Sequence, residues 1–150
     1  MMSDPKIELR ELDKSNYRDI LNLKVADNQT GFVASNAISL AQALFHSQAW
    51  YRGIYRGDTA VGFVMLDLGM EKPDYYLWRY MIDEKFQGHG YGYKALELVI
   101  EHVKSLPNST EFLLSYVPKE GNPKGFYEKL GFLDTGEIEE GEVIMKLEFK

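Results

Sequence analysis

The sequence of 150 residues contains no cysteine, which excludes a disulfide framework, a thiolate nucleophile and a zinc site built on thiolates. It also lacks an apolar run of about 20 residues, the length that a membrane-spanning helix needs. The N-terminal stretch MMSDPKIELRELDK has no apolar core and is not typical of a signal peptide. We therefore expect no metal site and no membrane partner, and we expect a cytoplasmic location.

Basic residues are in the minority, because 17 lysines and arginines stand against 23 aspartates and glutamates. No long basic tract is present, which argues against nucleic acid as the partner. The formal net charge of −6 favours a cationic substrate over an anionic one.

The chain has no linker rich in proline, glycine and serine, and no internal repeat, so residues 1–150 are expected to form one domain. Alternating apolar residues predict strands at 6–12, 73–83 and 110–117 and in the segments AWYRGIYRG, TAVGFVMLDLG, FLDTGEI and EVIMKLEF. Helical spacing and capping residues predict helices at 14–25, 39–46, 91–104 and 122–130. Turns are expected at Gly57-Asp58 and Glu140-Gly141. The order of these elements predicts a mixed sheet with helices on its faces.

The segment QGHGYG (87–92) places glycine at every second position directly before a predicted helix. It is neither a P-loop nor a dinucleotide fingerprint, because the required spacing and the later acidic residue are missing. Free N–H groups at a helix N-terminus bind anions, and glycines let a pyrophosphate approach the main chain. The pattern predicts a phosphate site, and the alternative is a merely flexible connection.

Two motifs carry a resemblance to a known family. The pattern Gln87-x-x-Gly90-x-Gly92 resembles the Q/R-x-x-G-x-G/A signature of the GNAT superfamily of N-acetyltransferases, and GFYEKLGF (125–132) resembles a late helix of that family. YLWRYMID and VADNQTGFVAS are similar to segments of its bacterial spermine/spermidine (diamine) acetyltransferase branch. The resemblance implies an α+β, three-layer fold with a largely antiparallel mixed sheet of six to seven strands and about four helices.

The resemblance also implies acetyl-CoA as cofactor and a polyamine such as spermine or spermidine as acceptor. Homodimers are frequent in the family, and the open edges of a mixed sheet would allow pairing. Alternatives left open are another amine, such as an amino acid, a peptide N-terminus or an aminoglycoside, and a non-catalytic acyl-CoA-binding module.

Cofactor residues follow from the same resemblance. The main chain around Tyr80, Met81 and Ile82 is expected to pair with the pantetheine arm, with the Ile82 N–H polarising the acetyl carbonyl. Tyr127 is expected to protonate the departing thiolate. Further cofactor contacts are expected from Gln87, Gly88, His89, Gly90, Tyr91, Gly92, Tyr93, Asn122 and Lys124. For the apolar and aromatic residues the alternative role is ordinary core packing.

The acceptor side is less constrained by the sequence. Asp27, Glu71 and Asp74 are candidates to bind the amine, and Gln29 and Phe32 match the acceptor-side loop of the polyamine branch. Asp67 and Glu84 are further candidates for a base, whereas no histidine suits that role. Each carboxylate could equally be a solvated surface acid, and EIEEGE (137–142) is typical of a solvated hairpin turn.

Overall fold

A computed structural model of the protein describes residues 6–30, 34–69 and 74–149. Within these ranges the chain forms seven strands and four α-helices, in the order β1 (Ile7–Arg10), α1 (Tyr17–Leu21), α2 (Asn36–Leu44), β2 (Ala49–Arg56), β3 (Thr59–Asp67), β4 (Asp74–Ile82), α3 (Tyr91–Lys104), β5 (Glu111–Tyr116), α4 (Lys124–Lys129), β6 (Leu133–Glu139) and β7 (Glu142–Glu148). Two short 3-10 helices lie at Asp27–Gln29 and Glu84–Phe86.

All seven strands belong to one sheet with the order β1-β2-β3-β4-β5-β7-β6. Neighbouring strands are antiparallel except β4 and β5, which are parallel and joined by a crossover through α3. The prediction of a mixed, largely antiparallel sheet is confirmed. The predicted turns at Gly57-Asp58 and Glu140-Gly141 are also present between their strands.

The parallel pair β4 and β5 is short. Only three residues of each strand are paired, Asp74 to Tyr76 with Glu111 to Leu113. Both strands then continue, to Ile82 and Tyr116, without further pairing to each other. The sheet therefore opens between the carboxyl ends of these two strands.

Strand β4 carries a bulge close to this opening. Met65 of β3 is opposite Arg79 and Leu66 is opposite Leu77, so Trp78 is an extra residue on β4. A bulge bends its strand and increases the local twist, which turns the end of β4 away from the flat continuation of the sheet.

Helices cover both faces of the sheet. One core cluster combines strand residues with side chains of α3 and α4, and its largest buried members include Phe112, Leu96 and Phe132. The second cluster joins α1 and α2 to the opposite face through residues such as Ile20 and Phe63. The predicted three-layer arrangement is thereby confirmed. No helix in the described part of the chain is long and apolar enough to span a membrane.

Helix α1 is shorter than the predicted range 14–25. At its start the carboxylate of Asp13 accepts hydrogen bonds from the N–H and the hydroxyl of Ser15, and this local bonding stabilises a turn instead of a helix. At its end the N–H of Lys24 donates to the carboxylate of Asp83, so a tertiary contact replaces the helical bond. Both deviations come from side-chain acceptors that compete for main-chain donors.

The bounds of two other helices also differ from the prediction. Helix α2 begins three residues earlier than the predicted range 39–46, because the hydroxyl of Ser35 caps its first turn. Helix α4 begins at Lys124, whose N–H donates to the side chain of Asn122 at 2.9 Å, so Pro123 precedes the helix and is not its first residue. Helix α3 has the predicted bounds.

Asp83 joins the end of β4 to the segment that follows α1. Its side chain is buried, and its two oxygens accept the N–H groups of Lys24 at 2.8 Å and of Lys85 at 2.9 Å. The N–H of Glu84 donates to the carbonyl of Lys24 at 2.7 Å. These bonds hold residues 22–30, the described part of the chain directly after α1 (the α1–α2 connection), against the end of β4, beside the opening in the sheet.

We predict that Asp83→Ala lowers the free energy of unfolding by roughly 1.5–3 kcal/mol, because two N–H groups lose a charged acceptor. Urea denaturation measures the change. Asp13→Ala is the matched control, since Asp13 also accepts a main-chain N–H but is exposed, and its loss should be smaller. Equal losses in the two variants would contradict the anchoring role of Asp83.

Candidate active site

The opening between β4 and β5 contains a cavity of about 1080 Å³. Residues of α4 line it from one face of the sheet, and residues of the α1–α2 connection line it from the other, so the cavity extends through the sheet. Its walls include Gln29, Thr30, Tyr76 to Ile82, Gln87, Gly88, Gly90 to Tyr93, Leu114 to Val117, Phe126, Tyr127, Lys129 and Glu142.

The main chain of β4 alternates in direction at this opening. The N–H of Asp83 donates to the carbonyl of Val61 on β3 at 2.8 Å, and Met81, two residues earlier, faces β3 in the same way. Ile82 faces the opposite direction, and its carbonyl accepts a hydrogen bond from the Gln87 side chain at 2.8 Å. The Ile82 N–H is therefore directed into the opening.

The three β4 residues expected to contact the pantetheine arm thus differ in the direction of their main-chain N–H groups. Tyr80, like Ile82, directs its N–H away from β3 and into the opening. Met81 uses its main chain within the sheet, and its side chain is buried against α1 and α2. The resemblance to the GNAT family indicated this segment of β4 as a whole, and it did not indicate which of its residues direct their N–H groups into the opening.

The glycine loop presents open main chain in front of α3. Gly88 and Gly90 have φ values of +82° and +81°, a left-handed conformation that L-residues with a side chain rarely adopt. Among the described residues, no atom outside the adjoining residues lies within 4 Å of a Cβ added at either position. Helix α3 then begins at Tyr91 without an acidic residue in its first turn, and Lys94 is the first to donate back along the helix. Free N–H groups and open space suit a pyrophosphate.

Gly92, at the last position of the loop, lies close to β4, so this end of the loop is not open as it is at Gly88 and Gly90. A Cβ added there would be 3.3 Å from Cγ1 of Ile82 and 3.5 Å from Oη of Tyr80. The hydroxyl of Tyr80 donates a hydrogen bond to the carbonyl of Gly92. Burial raises the pKa of Tyr80 well above its ordinary value, with a smaller contribution from Tyr127, so this hydroxyl stays a donor.

Gln87 connects the glycine loop to the α1–α2 connection. Its Nε2 donates to Oε1 of Gln29 at 2.7 Å as well as to the Ile82 carbonyl. The same Oε1 of Gln29 accepts the N–H of Ala26 at 3.2 Å. A residue expected on the cofactor side and one expected on the acceptor side are therefore in direct contact.

Tyr127 lines the cavity from α4 with a side chain that is 8% exposed. Its ring packs edge-on against Phe126 and Phe132, with centroids 5.5 and 6.0 Å away. The hydroxyl makes no hydrogen bond within the described part of the chain. Burial raises the pKa of Tyr127 above its ordinary value, with a smaller effect of Tyr76, so the group is protonated at neutral pH.

Comparison with known sequences decides the family. The acetyltransferase (GNAT) family model matches residues 8–132. The chain belongs to the GNAT family. It is 30% identical over 148 residues to the spermine/spermidine N(1)-acetyltransferase of Bacillus subtilis (strain 168), an alignment that covers 93% of this chain and 96% of that protein.

Solved structures agree with this membership. The PaiA N-acetyltransferase from Thermoplasma acidophilum in complex with coenzyme A has a TM-score of 0.72 and 18% identity, covering 96% of this chain and 99% of that one. A GNAT family acetyltransferase from Elizabethkingia anophelis with acetyl-CoA bound has a TM-score of 0.70 and 16% identity, covering 96% and 97%. The predicted GNAT-like fold is confirmed.

Three residues expected at the GNAT cofactor site lie outside the cavity walls. His89 is exposed and stacks on Tyr91, with ring centroids 5.4 Å apart. Asn122 is occupied in the turn before α4, where it accepts the Lys124 N–H. The Lys124 ammonium forms a salt bridge of 3.0 Å with Asp134. The motifs identified the loop and the late helix, but local and tertiary contacts decide which side chains face the cavity.

Two of the expected acceptor residues are also placed elsewhere. Gln29 lines the cavity, whereas Asp27 is exposed and does not. Asp74 begins β4 at the end where that strand is paired with β5, away from the opening. Phe32 and Glu71 lie outside the described residues.

Asp67 and Glu84, the two further candidates for a base, do not line the cavity either. Asp67 accepts the N–H of Gly69 at 3.0 Å, and Glu84 is exposed. Within the described residues, no group of three or more histidines, aspartates and glutamates could hold a metal ion.

Sequence reasoning missed a polar group on the β5 side of the cavity. Glu142 was assigned to a solvated turn, but it is half-buried, lines the cavity and accepts a hydrogen bond from the Ser115 hydroxyl at 3.1 Å. Tyr76 and Arg79 line the same wall. The available signal was Ser115, the polar residue inside the otherwise apolar run FLLSYV (112–117).

We predict that Gly90→Ala weakens coenzyme A binding at least tenfold, because a methyl group obstructs the phosphate approach and strains the left-handed residue. Isothermal titration calorimetry measures the affinity. Gly136→Ala is the matched control, since Gly136 has φ +85° and equally open surroundings but lies on β6. Both variants should lose about 1 kcal/mol of stability. Equal loss of coenzyme A binding in both would contradict a phosphate site at the glycine loop.

Proposed function

We propose that the protein is an acetyl-CoA-dependent N-acetyltransferase that acts on a primary amine of a polyamine such as spermine or spermidine. The observation that carries the proposal is the convergence of the free Ile82 N–H and the buried Tyr127 on one cavity beside the glycine loop. The polyamine acceptor is supported by the 30% identical relative and by the net charge of −6. One domain over 1–150, a cytoplasmic location and homodimers remain predictions from the sequence.

The residues around the cavity fit the cofactor of the family. The N–H groups in the first turn of α3, together with Gly88 and Gly90, would hold the pyrophosphate. The N–H groups of Tyr80 and Ile82 would pair with the pantetheine arm as an added strand. When bound, acetyl-CoA supplies the thioester that carries the transferable acetyl group.

The Ile82 N–H would donate to the thioester carbonyl oxygen. This N–H is not used by β3, and the carbonyl of the same peptide group, that of Met81, faces β3 within the sheet, so the peptide group is fixed before substrate binds. A donor that is already oriented toward developing negative charge costs no reorganisation during the reaction. Such groups usually make the largest electrostatic contribution to acyl transfer.

Tyr127 would give its hydroxyl proton to the departing sulfur. A free thiol has a pKa near ~8.5 and a tyrosine near ~10, so the transfer is slightly uphill before burial is considered. Burial raises the pKa of Tyr127 further, which keeps the proton in place until a thiolate develops. We therefore expect a contribution at the low end of the ~10²–10⁴-fold range of general acid catalysis.

The acceptor amine must be neutral to attack the thioester. An amine with a lysine-like pKa of ~10.4 is about 99.9% protonated at neutral pH. No histidine lines the cavity among the described residues, and the buried tyrosines hold their protons. The rate should consequently rise with pH as the neutral fraction of the amine increases.

We predict that Tyr127→Phe lowers kcat roughly 100-fold and leaves coenzyme A affinity unchanged, because only the proton donor is lost. Steady-state kinetics and calorimetry measure the two quantities. Since burial raises the pKa of Tyr127, the wild-type rate should not fall between pH 7 and 10 through loss of its proton. Tyr75→Phe is the control, because that hydroxyl donates to the Pro107 carbonyl and does not line the cavity. Unchanged turnover in Tyr127→Phe would remove this residue from the mechanism.

A thiol-release assay with acetyl-CoA tests the acceptor class, using spermine, spermidine, putrescine, lysine, a short peptide and an aminoglycoside. We expect the fastest release with spermine or spermidine, because the 30% identical relative is named for these amines and the net charge of −6 favours a polycation. Preference for the peptide or the aminoglycoside would replace the polyamine by another amine. Coenzyme A binding without release for any acceptor would favour a non-catalytic binding module.

A further inference from the structure

Negative charge at the cavity is concentrated at one side chain. Among the side chains that the structure describes, Glu142 is the one carboxylate in the cavity wall. The carboxylates of Asp27, Asp67 and Glu84 lie elsewhere on the surface. A cationic acceptor that enters the cavity therefore meets its counter-charge at Glu142.

Glu142 lies on the face of the sheet opposite to the one that α3 covers. It is the first residue of β7, two positions from Ile144, which is paired with Ser115 of β5. Side chains two residues apart on a strand share a face, so Glu142 and Ser115 are on one face, together with Tyr76 of β4. Leu114 points to the other face, into the core below α3. The acceptor and the pyrophosphate would consequently approach the opening from different faces.

The Glu142 carboxylate is oriented by a hydrogen bond, and no cationic side chain among the described residues forms a contact ion pair with it. The Ser115 hydroxyl donates to Oε1 of Glu142 at 3.1 Å, which fixes the side chain. Its second oxygen, Oε2, has no hydrogen-bond or salt-bridge partner among the described residues. By contrast, Lys146 on the same strand is paired with Glu148 at 2.7 Å. Oε2 is thus free to accept an N–H donor from a ligand.

Two cationic side chains share the cavity wall with Glu142. The guanidinium of Arg79 donates to the Trp78 carbonyl at 3.0 Å and to Oε1 of Gln42 at 3.1 Å, which holds it toward α2. Lys129 is exposed at the end of α4. Neither forms a salt bridge with Glu142, although the charge of Glu142 is close enough to Arg79 to oppose the lowering of the Arg79 pKa by burial. Oε2 of Glu142 therefore has no direct partner among the described residues and can accept a donor from a ligand.

Space for a long acceptor continues beyond Glu142. A second cavity of about 520 Å³ shares Tyr76, Ser115 and Glu142 with the first one. Its outer wall contains Glu139 and Glu140 of the β6–β7 hairpin. An extended chain could therefore pass Glu142 and still lie beside negative charge.

We propose that Glu142 binds a non-reacting ammonium group of a polycationic acceptor, so that another amine of the same molecule reaches Ile82 and Tyr127. The inference rests on the proposed function and names the group that selects the substrate. A carboxylate beside the reacting nitrogen would hold that nitrogen in its protonated, unreactive form. Beside a different nitrogen of the chain, it positions the acceptor and leaves the reacting amine free.

The test compares spermidine with butylamine, which is the aminobutyl arm of spermidine without the other two nitrogens. In Glu142→Gln, which preserves size and the acceptor for Ser115, kcat/KM for spermidine should fall about 10- to 100-fold, mainly through KM. The value for butylamine should change less than about threefold, because that acceptor has no second ammonium group. Glu137→Gln is the matched control, since it removes the same charge from an exposed position of the same hairpin that lines neither cavity.

The outcomes separate this inference from the proposed function. Turnover of spermidine with an unchanged spermidine-to-butylamine ratio in Glu142→Gln would overturn the role of Glu142 alone. No turnover of either amine by the wild-type protein would refute the polyamine acceptor, and the role of Glu142 with it. If Glu142→Gln does not fold, Ser115→Ala releases the carboxylate from its hydrogen bond, and it should raise KM for spermidine more than KM for butylamine. Equal changes for both amines in that variant would contradict the proposal.

Discussion

The short pairing between β4 and β5 is the constraint on which the rest of the site depends. Three paired residues join the two strands, and the bulge at Trp78 then bends the end of β4 away. The main chain beyond the bulge keeps N–H groups that no strand uses, at Tyr80 and Ile82. An N–H group that is buried without a partner is energetically costly. These two N–H groups are therefore available to pair with an extended ligand at this edge of the sheet.

Loops around the opening are held by a small number of polar bonds. Asp83 fixes the segment after α1 to the end of β4, and Gln87 joins the glycine loop to Gln29. The hydroxyl of Tyr80 ties β4 to the first turn of α3 through Gly92. Together these contacts fix the glycine loop and the α1–α2 connection around one cavity before any ligand enters.

The polar side chains around the cavity differ in their environment, and their chemical roles differ accordingly. The hydroxyl groups of Tyr80 and Tyr127 are buried, which raises their pKa values and keeps them as proton donors. Glu142 is half-buried on the wall that the two cavities share. Tyr127 therefore offers a proton donor inside the first cavity, and Glu142 offers a carboxylate where the two cavities meet.

The sequence by itself determined the elements, their order and the glycine loop, because strand alternation, helix spacing and glycines before a helix are local patterns. It did not determine that Met81 faces β3, that Lys124 pairs with Asp134, or that Glu142 lines the cavity. Those facts depend on the packing and register of the strands, which join residues distant along the chain. Only the tertiary structure, through the pairing of strands and the burial of side chains, decided which groups face the ligand.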